Sequence, residues 1–252
     1  KVLVALDATC RVLDYAATNQ FDLVLTHHPL LFRGPKSISP DTAVGSRIIS
    51  ALQKNLTVIS LHTRLDAGKG GVNDCLAAAL ELADAVNYGI GGTRIAAQPD
   101  DGGQAFSVRY QEMDDDAELV VVFGGTNDFG HGTAPIGSPY DQTPDTYCGA
   151  LNVLFRGLIE KYPEAALVVM TPVHRDNEDE KNAAGLFLSE YVALLRAAAE
   201  RYSIPVLDLY AQGGIVPAVP ASKERFCPDG LHPNDEGHRL IARRLCAFLQ
   251  TV

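Results

Sequence analysis

The chain has 252 residues, of which 46% are hydrophobic and 21% are charged, which suits one large α/β domain or two small ones. No run of about 18 apolar residues occurs, so we expect no membrane-spanning helix. The formal net charge of −10 falls in residues 85–252, and this excess of carboxylates argues against a nucleic-acid partner.

Predicted strands and helices alternate along the sequence. In chain order we predict strand 2–6, helix 11–18, strand 23–26, helix 44–54, strand 57–61, helix 72–82, strand 85–88, strand 119–123, helix 147–161, strand 166–170, helix 186–202, strand 206–209 and helix 236–249. This alternation is typical of βαβ units with parallel strands. We therefore predict an α/β fold with a mainly parallel sheet that helices cover on both faces.

No linker rich in Pro, Gly or Ser separates residues 1–84 from residues 85–252. We predict that these two parts form one continuous structural unit, with the N-terminal part merged into or packed on the same sheet as the rest. The five cysteines show no metal-ligand spacing, and no signal peptide is visible at Lys1. A cytoplasmic location is expected, and the sequence does not determine the oligomeric state.

Three motifs in the C-terminal part lie at predicted strand ends or before the last helix. They are N-Y-G-I-G-G at 87–92, G-G-T-N-D at 124–128 and D-G-L-H-P at 229–233. Acyl transfer needs a base, a carboxylate that orients it and donors for the developing oxyanion. An Asp and a His three residues apart can supply the first two, and an Asn and a glycine N–H can supply the donors.

In this order and spacing, the three motifs resemble all but the first conserved block of the SGNH/GDSL hydrolase family of esterases and lipases. The resemblance implies a three-layer α/β/α sandwich with a flavodoxin-like sheet, and hydrolysis of small acyl or acetyl esters without a cofactor. It also implies that Gly92 and Asn127 donate to the oxyanion, while His232 is the base and Asp229 orients it. Three further histidines match no catalytic position: His131, His174 and His238.

The nucleophile of that family is missing, because Gly-Asp-Ser occurs nowhere in the chain. Laid over the end of the first predicted strand, this motif falls on residues 6–8 and places Ala8 at the nucleophile. Thr9 and Cys10 follow one and two positions too late. Without an activated nucleophile, the remaining groups would give only weak catalysis.

Potential metal ligands follow two neighbouring predicted strands in the N-terminal part. His27 and His28 come after strand 23–26, and His62 and Asp66 come after strand 57–61. Imidazoles and a carboxylate at the carboxyl ends of adjacent strands can converge on a divalent metal. Each group taken alone would also suit a polar loop, and two such loops on neighbouring strands favour the metal interpretation.

Residues 2–82 also resemble a known family, the GTP cyclohydrolase type 2-like proteins with a dinuclear metal site. The similarity rests on V-L-V-A-L-D-A-T, T-H-H-P-L-L-F, H-T-R-L-D and G-G-V-N-D. It implies that His27, His28 and Asp66 bind zinc, iron or manganese, with His62 nearby. Nothing after residue 84 matches the C-terminal His-x-x-x-Glu segment of that family, so the predicted site is partial.

A natural or engineered chimera accounts for both resemblances, and it leaves several functions open. The first is an SGNH hydrolase-like protein, impaired because its nucleophile is absent, with a small-molecule ester as its substrate. An active esterase would need Thr9, Cys10 or a water molecule instead. The second is a divalent-metal-binding module or metal-dependent hydrolase, and the third is a recombined or designed scaffold without an evolved function.

Overall fold

The computed structural model describes residues 1–5, 7–27, 29–31, 37–61 and 85–252. The chain divides into two compact units, Lys1–Gly89 and Ile90–Val252. Each unit has its own three-stranded parallel sheet, which confirms the predicted α/β class with parallel strands. The predicted helix 72–82 lies outside the described residues.

The N-terminal unit alternates strands and helices as predicted. Its elements are β1 (Val2–Ala5), α1 (Cys10–Thr18), β2 (Leu23–Thr26), α2 (Ala43–Gln53) and β3 (Thr57–Ser60). The strands lie in the order β1-β2-β3. Thr9 and Thr42 cap the two helices, since their hydroxyl oxygens accept the N–H groups of Val12 and Gly45. Helices joined to parallel strands in this way pack against the sheet and bury its inner face.

The C-terminal unit begins with short irregular segments and ends with a long helix. Its elements are α3 (Phe106–Arg109), β4 (Leu119–Phe123), α4 (Thr126–His131), α5 (Tyr147–Lys161), β5 (Ala166–Met170), α6 (Leu188–Arg201), β6 (Val206–Leu207), α7 (Leu209–Gln212), α8 (Pro220–Phe226) and α9 (Asp235–Leu249). A 3₁₀ turn covers Tyr110–Glu112. The strand order is β4-β5-β6, so β5 is the central strand.

The core of the C-terminal unit lies between its sheet and the helices α5 and α6. Val169 of β5 belongs to the same buried cluster as Leu151 of α5 and Leu195 of α6. Val168 and Met170 point to the opposite face and are also buried, while α9 contacts β6. The central strand is therefore buried on both faces, which explains why its sequence is a continuous apolar run.

One expectation about the strands differs from the structure. The described strands form two three-stranded sheets, β1-β2-β3 and β4-β5-β6. The predicted strand 85–88 is absent, since these residues have no regular structure and Val86 is exposed. The side chain of Asn87 accepts the N–H of Gly89 at 2.7 Å, and this local turn competes with an extended strand.

No helix in the described part of the chain has both the length and the apolar character needed to cross a membrane.

Candidate functional site

Asp229 and His232 form a hydrogen-bonded pair on the loop between α8 and α9. The Nδ1 atom of His232 lies 2.7 Å from Oδ2 of Asp229. The other carboxylate oxygen accepts the N–H groups of Leu231 and His232 at 2.9 and 2.7 Å. This geometry holds the imidazole in one orientation relative to the carboxylate, as a base and its orienting group require.

The carboxylate of Asp229 is strongly favoured in its ionised form. Partial burial alone would raise the pKa of Asp229, but the hydrogen bonds from His232 and from the N–H of Leu231 outweigh it. The result is a pKa well below the usual range of an aspartate. The group is therefore ionised at neutral pH and can stabilise a positive charge on the imidazole.

Asn127 and Gly92 are linked through Thr93. Asn127 lies in the first turn of α4, and its Nδ2 donates to the carbonyl oxygen of Thr93 at 3.0 Å. Gly92, the preceding residue, is exposed and has open space where a Cβ would lie. The two predicted oxyanion donors thus lie on contacting segments, one at the carboxyl end of β4 and one on the loop before α3.

Asp128 holds these two segments together, although the sequence motifs predicted no role for it. It is 1% exposed, and its carboxylate accepts the N–H groups of Ile95 and Ala96 at 2.9 and 3.0 Å. Burial raises the pKa of Asp128 to about 6, although the two backbone N–H groups and the charge of Arg94 oppose this rise. The only signal in the sequence was its position directly after Asn127.

The segment after β5 bridges the Asn127 region and the His232 loop. Arg175 donates through Nη1 to the carbonyl oxygen and the hydroxyl of Thr126, at 3.1 and 3.2 Å. The N–H of Asp176 donates to the carbonyl oxygen of Gly230 at 2.8 Å. Arg175 therefore contacts the start of α4, and the adjacent Asp176 contacts the loop that carries His232. All three segments lie at the same edge of the C-terminal sheet, the one formed by the carboxyl ends of its strands.

The residue that the overlay places at the nucleophile, Ala8, follows β1 in the N-terminal unit, and its assignment stays a prediction. β1 pairs in parallel with β2 in that unit. Ala8 is 3% exposed and packs with Leu13 and Val24 in the core of that unit. The short connection to α1 explains this placement, because it directs Ala8 into the helix–sheet core.

The neighbouring candidates Thr9 and Cys10 differ in their surroundings. The hydroxyl of Thr9 accepts the N–H of Val12 at 3.2 Å, so it caps α1. Cys10 is exposed, and its Sγ lies 3.9 Å from the hydroxyl of Ser46. Among the described residues, each of these side chains contacts a hydroxyl or a backbone N–H, and neither contacts an imidazole or carboxylate base.

Only one of the predicted metal ligands can be placed. His27 follows β2, and its N–H donates to the carbonyl oxygen of Ala5 at the carboxyl end of β1. His28, His62 and Asp66 lie outside the described residues. Within residues that the structure does describe, no group of three or more His, Cys, Asp or Glu side chains could hold a metal ion.

Comparison with known proteins assigns the chain to a family. The sequence model of the Duf34/NIF3 (NGG1p interacting factor 3) family matches residues 1–162, more than half of the chain. The chain belongs to the Duf34/NIF3 family. The match ends directly after α5, so it extends beyond the N-terminal unit.

Curated relatives of this Duf34/NIF3 protein match it over a shorter stretch. It is 49% identical to the GTP cyclohydrolase 1 type 2 homolog of Halalkalibacterium halodurans over 84 residues. These 84 residues are 33% of this chain and 23% of the relative. That stretch of 84 residues is close in length to the N-terminal unit, Lys1–Gly89. The chain spans about a quarter of the length of the curated relatives it matches.

Solved structures resemble larger portions of the Duf34/NIF3 chain. A Lactobacillus plantarum protein is 33% identical with a TM-score of 0.66, covering 73% of this chain and 92% of its own. A Bacteroides ovatus protein described as a GDSL-like lipase is 19% identical with a TM-score of 0.53, covering 71% of this chain and 77% of its own. The latter similarity concerns the fold alone. The resemblance predicted for residues 2–82 is thereby confirmed, and the resemblance of the C-terminal part to GDSL-like lipases holds at the level of the fold.

Proposed function

We propose that this Duf34/NIF3 protein is an SGNH hydrolase-like chimera whose hydrolysis of small acyl or acetyl esters is impaired. The observation that carries the proposal is the Asp229–His232 pair, with Nδ1 and Oδ2 2.7 Å apart, on the same sheet edge as Asn127. Base, orienting carboxylate and oxyanion donor are the parts that ester hydrolysis needs besides a nucleophile.

Water is the nucleophile in the proposed reaction. His232 removes a proton from water while the resulting hydroxide adds to the ester carbonyl, and Asn127 and the N–H of Gly92 stabilise the oxyanion. Because no Gly-Asp-Ser is present, no acyl-enzyme forms. When a serine-hydrolase triad is incomplete, the other groups retain at most roughly 10³–10⁴-fold acceleration over water. We therefore expect slow turnover.

The first test is hydrolysis of p-nitrophenyl acetate by the wild-type protein and by His232→Ala. We expect a slow, linear release of p-nitrophenol without an initial burst, and a loss of most of this rate in His232→Ala. His131→Ala is the matched control, since His131 is exposed at the end of α4. A one-equivalent burst, or labelling by a fluorophosphonate, would reveal a nucleophile and contradict the proposal. If the wild type, His232→Ala and His131→Ala all hydrolyse the ester no faster than buffer alone, the protein is a scaffold without evolved catalysis.

A second candidate function is divalent-metal binding by the N-terminal unit. It is favoured by the family assignment and by the position of His27 at the carboxyl end of β2. Two imidazoles from His27 and His28 and a carboxylate from Asp66, with His62 nearby, fit zinc, iron or manganese in donor type. Bound there, a metal would act as a Lewis acid toward a ligand.

Elemental analysis tests this second function. The protein is first treated with a chelator, then reloaded with zinc and dialysed before its metal content is measured. We expect the wild-type protein to retain zinc and His27→Ala to retain clearly less, because a partial site that loses a ligand binds the metal more weakly. His131→Ala is again the matched control and should retain as much zinc as the wild type. If the wild type retains no zinc, iron or manganese, the N-terminal unit has no metal-binding function.

A further inference from the structure

A second histidine–carboxylate pair lies after the central strand of the C-terminal sheet. His174 is the fourth residue beyond β5, and its Nδ1 lies 2.7 and 2.9 Å from the two carboxylate oxygens of Glu178. The side chains of His174 and Glu178 are 24% and 14% exposed, so both are partly shielded from water. Partial shielding strengthens a charge-assisted hydrogen bond between them.

Packing against Tyr210 fixes the position of this imidazole. The ring centroids of His174 and Tyr210 are 4.1 Å apart, with an angle of 36° between the planes. Burial raises the pKa of Tyr210, and the negative charges of Glu178 and Asp179 raise it further. Tyr210 therefore stays protonated beside the pair. With Nδ1 held by Glu178, Nε2 has no hydrogen-bond partner within the part of the chain that the structure describes.

The pair lies on the same sheet edge as the proposed ester site. His174 directly precedes Arg175 and Asp176, the two residues that contact Thr126 and Gly230. The edge thus carries two imidazoles, each with a carboxylate on its Nδ1. His232 is the more exposed of the two, with 56% of its side chain accessible against 24% for His174. With a carboxylate on Nδ1, each imidazole can transfer a proton through Nε2, so the two rings can divide the acid and base roles of one reaction.

We propose that His174, held by Glu178, is the general acid that protonates the leaving alcohol in ester hydrolysis. This inference rests on the proposed function, in which His232 deprotonates the attacking water. As the tetrahedral intermediate collapses, the carbon–oxygen bond to the leaving group breaks and its electron pair passes to the oxygen. The Nε2 proton of His174 is transferred to that oxygen, while Glu178 stabilises the imidazolium beforehand. The products are a carboxylic acid and an alcohol, and the two histidines exchange their protons with water.

Two esters with different leaving groups test the acid role. p-Nitrophenolate leaves without protonation, whereas ethoxide needs a proton, so only ethyl acetate hydrolysis should require the acid. In His174→Gln we expect kcat/KM for ethyl acetate to fall about 100-fold and that for p-nitrophenyl acetate to change less than about threefold. Glu178→Gln should show the same selectivity with a smaller loss. His232→Gln should lower both rates, and His131→Gln neither.

The outcomes separate this inference from the proposed function. Equal losses for the two esters in His174→Gln, or no loss for either, would overturn the acid role while leaving the role of His232 intact. A wild-type protein that hydrolyses p-nitrophenyl acetate but not ethyl acetate would also overturn it. A burst or covalent labelling would instead contradict the proposed function. Circular dichroism of each variant verifies the fold, and Glu178→Gln provides a second test if His174→Gln is unfolded.

Discussion

An Asp128→Ala variant is expected to lose about 2–4 kcal/mol of unfolding free energy at about pH 5. The carboxylate of Asp128 accepts the N–H groups of Ile95 and Ala96, and the residue is 1% exposed. Alanine leaves both N–H groups buried without a partner, and water cannot easily reach them. The loop that carries Gly92 and Thr93 would also lose its anchor to α4.

The loss should depend on pH in a direction set by the pKa of Asp128. Burial raises this pKa from the usual 3.8 to about 6. A raised pKa means that the folded protein binds the proton more tightly than the unfolded chain. The group therefore stabilises the fold at low pH, and this contribution is lost as the pH rises through 6. At 1.36 kcal/mol per unit, the difference is roughly 3 kcal/mol. Wild type and Asp128→Ala should thus differ more at about pH 4.5 than at about pH 7.5.

Urea denaturation followed by circular dichroism at both pH values measures this effect. Asp101→Ala is a matched control, because the carboxylate of Asp101 also accepts two backbone N–H groups, those of Gln98 and Gly103, at 2.7 Å each. Asp101 is only partly buried, so water can replace the lost carboxylate. The loss of unfolding free energy in Asp101→Ala should therefore be about 1 kcal/mol. Equal losses in the two variants would show that burial of Asp128 does not determine its contribution.

Features set by local sequence were predictable from the chain alone. The apolar run of β4 predicted a strand with the bounds that the structure shows, Leu119–Phe123. The Asp229–His232 contact followed from a spacing of three residues on one loop. The strand is signalled by its own run of apolar residues and the contact by two residues on one loop, so the local pattern contains the relevant information.

Contacts between distant segments were not predictable in this way. Asp128 accepts N–H groups 32 and 33 residues earlier in the chain, and no periodicity signals such a contact. The contact of His174 with Glu178 spans only four residues, but it forms at a turn, and no periodic pattern signals it. Long-range pairing decides contacts such as those of Asp128, and the sequence pattern determines only the elements to be paired.

A Gly230→Ala variant is expected to destabilise the C-terminal unit by about 2–4 kcal/mol and to disturb the Asp229–His232 loop. Gly230 has a φ of +78°, which costs any residue with a Cβ about 1–2 kcal/mol. A Cβ at this position would also lie 1.9 Å from Oδ2 of Asp176. The carboxylate of Asp176 must then move, which breaks its ion pair with Lys223.

Gly185 provides a control that separates these two causes. It has the same φ of +78°, but a Cβ there would meet nothing within 4 Å. Gly185→Ala should therefore show only the backbone cost, about 1–2 kcal/mol. If the clash with Asp176 causes the rest of the stability loss in Gly230→Ala, removing the Asp176 carboxylate should restore that part of the unfolding free energy. The double variant Gly230→Ala/Asp176→Ala should then fall close to Gly185→Ala, because two contacting residues are coupled.

The same variants connect the loop to catalysis. Gly230 lies between Asp229 and His232, and its carbonyl oxygen accepts the N–H of Asp176. A displaced Asp176 would shift the loop and weaken the hydrogen bond that orients the imidazole, so p-nitrophenyl acetate hydrolysis should fall in Gly230→Ala and recover in the double variant. Gly185→Ala should retain the wild-type rate. If Gly230→Ala unfolds no more easily than Gly185→Ala and hydrolyses the ester as fast as wild type, Asp176 does not hold this loop in place.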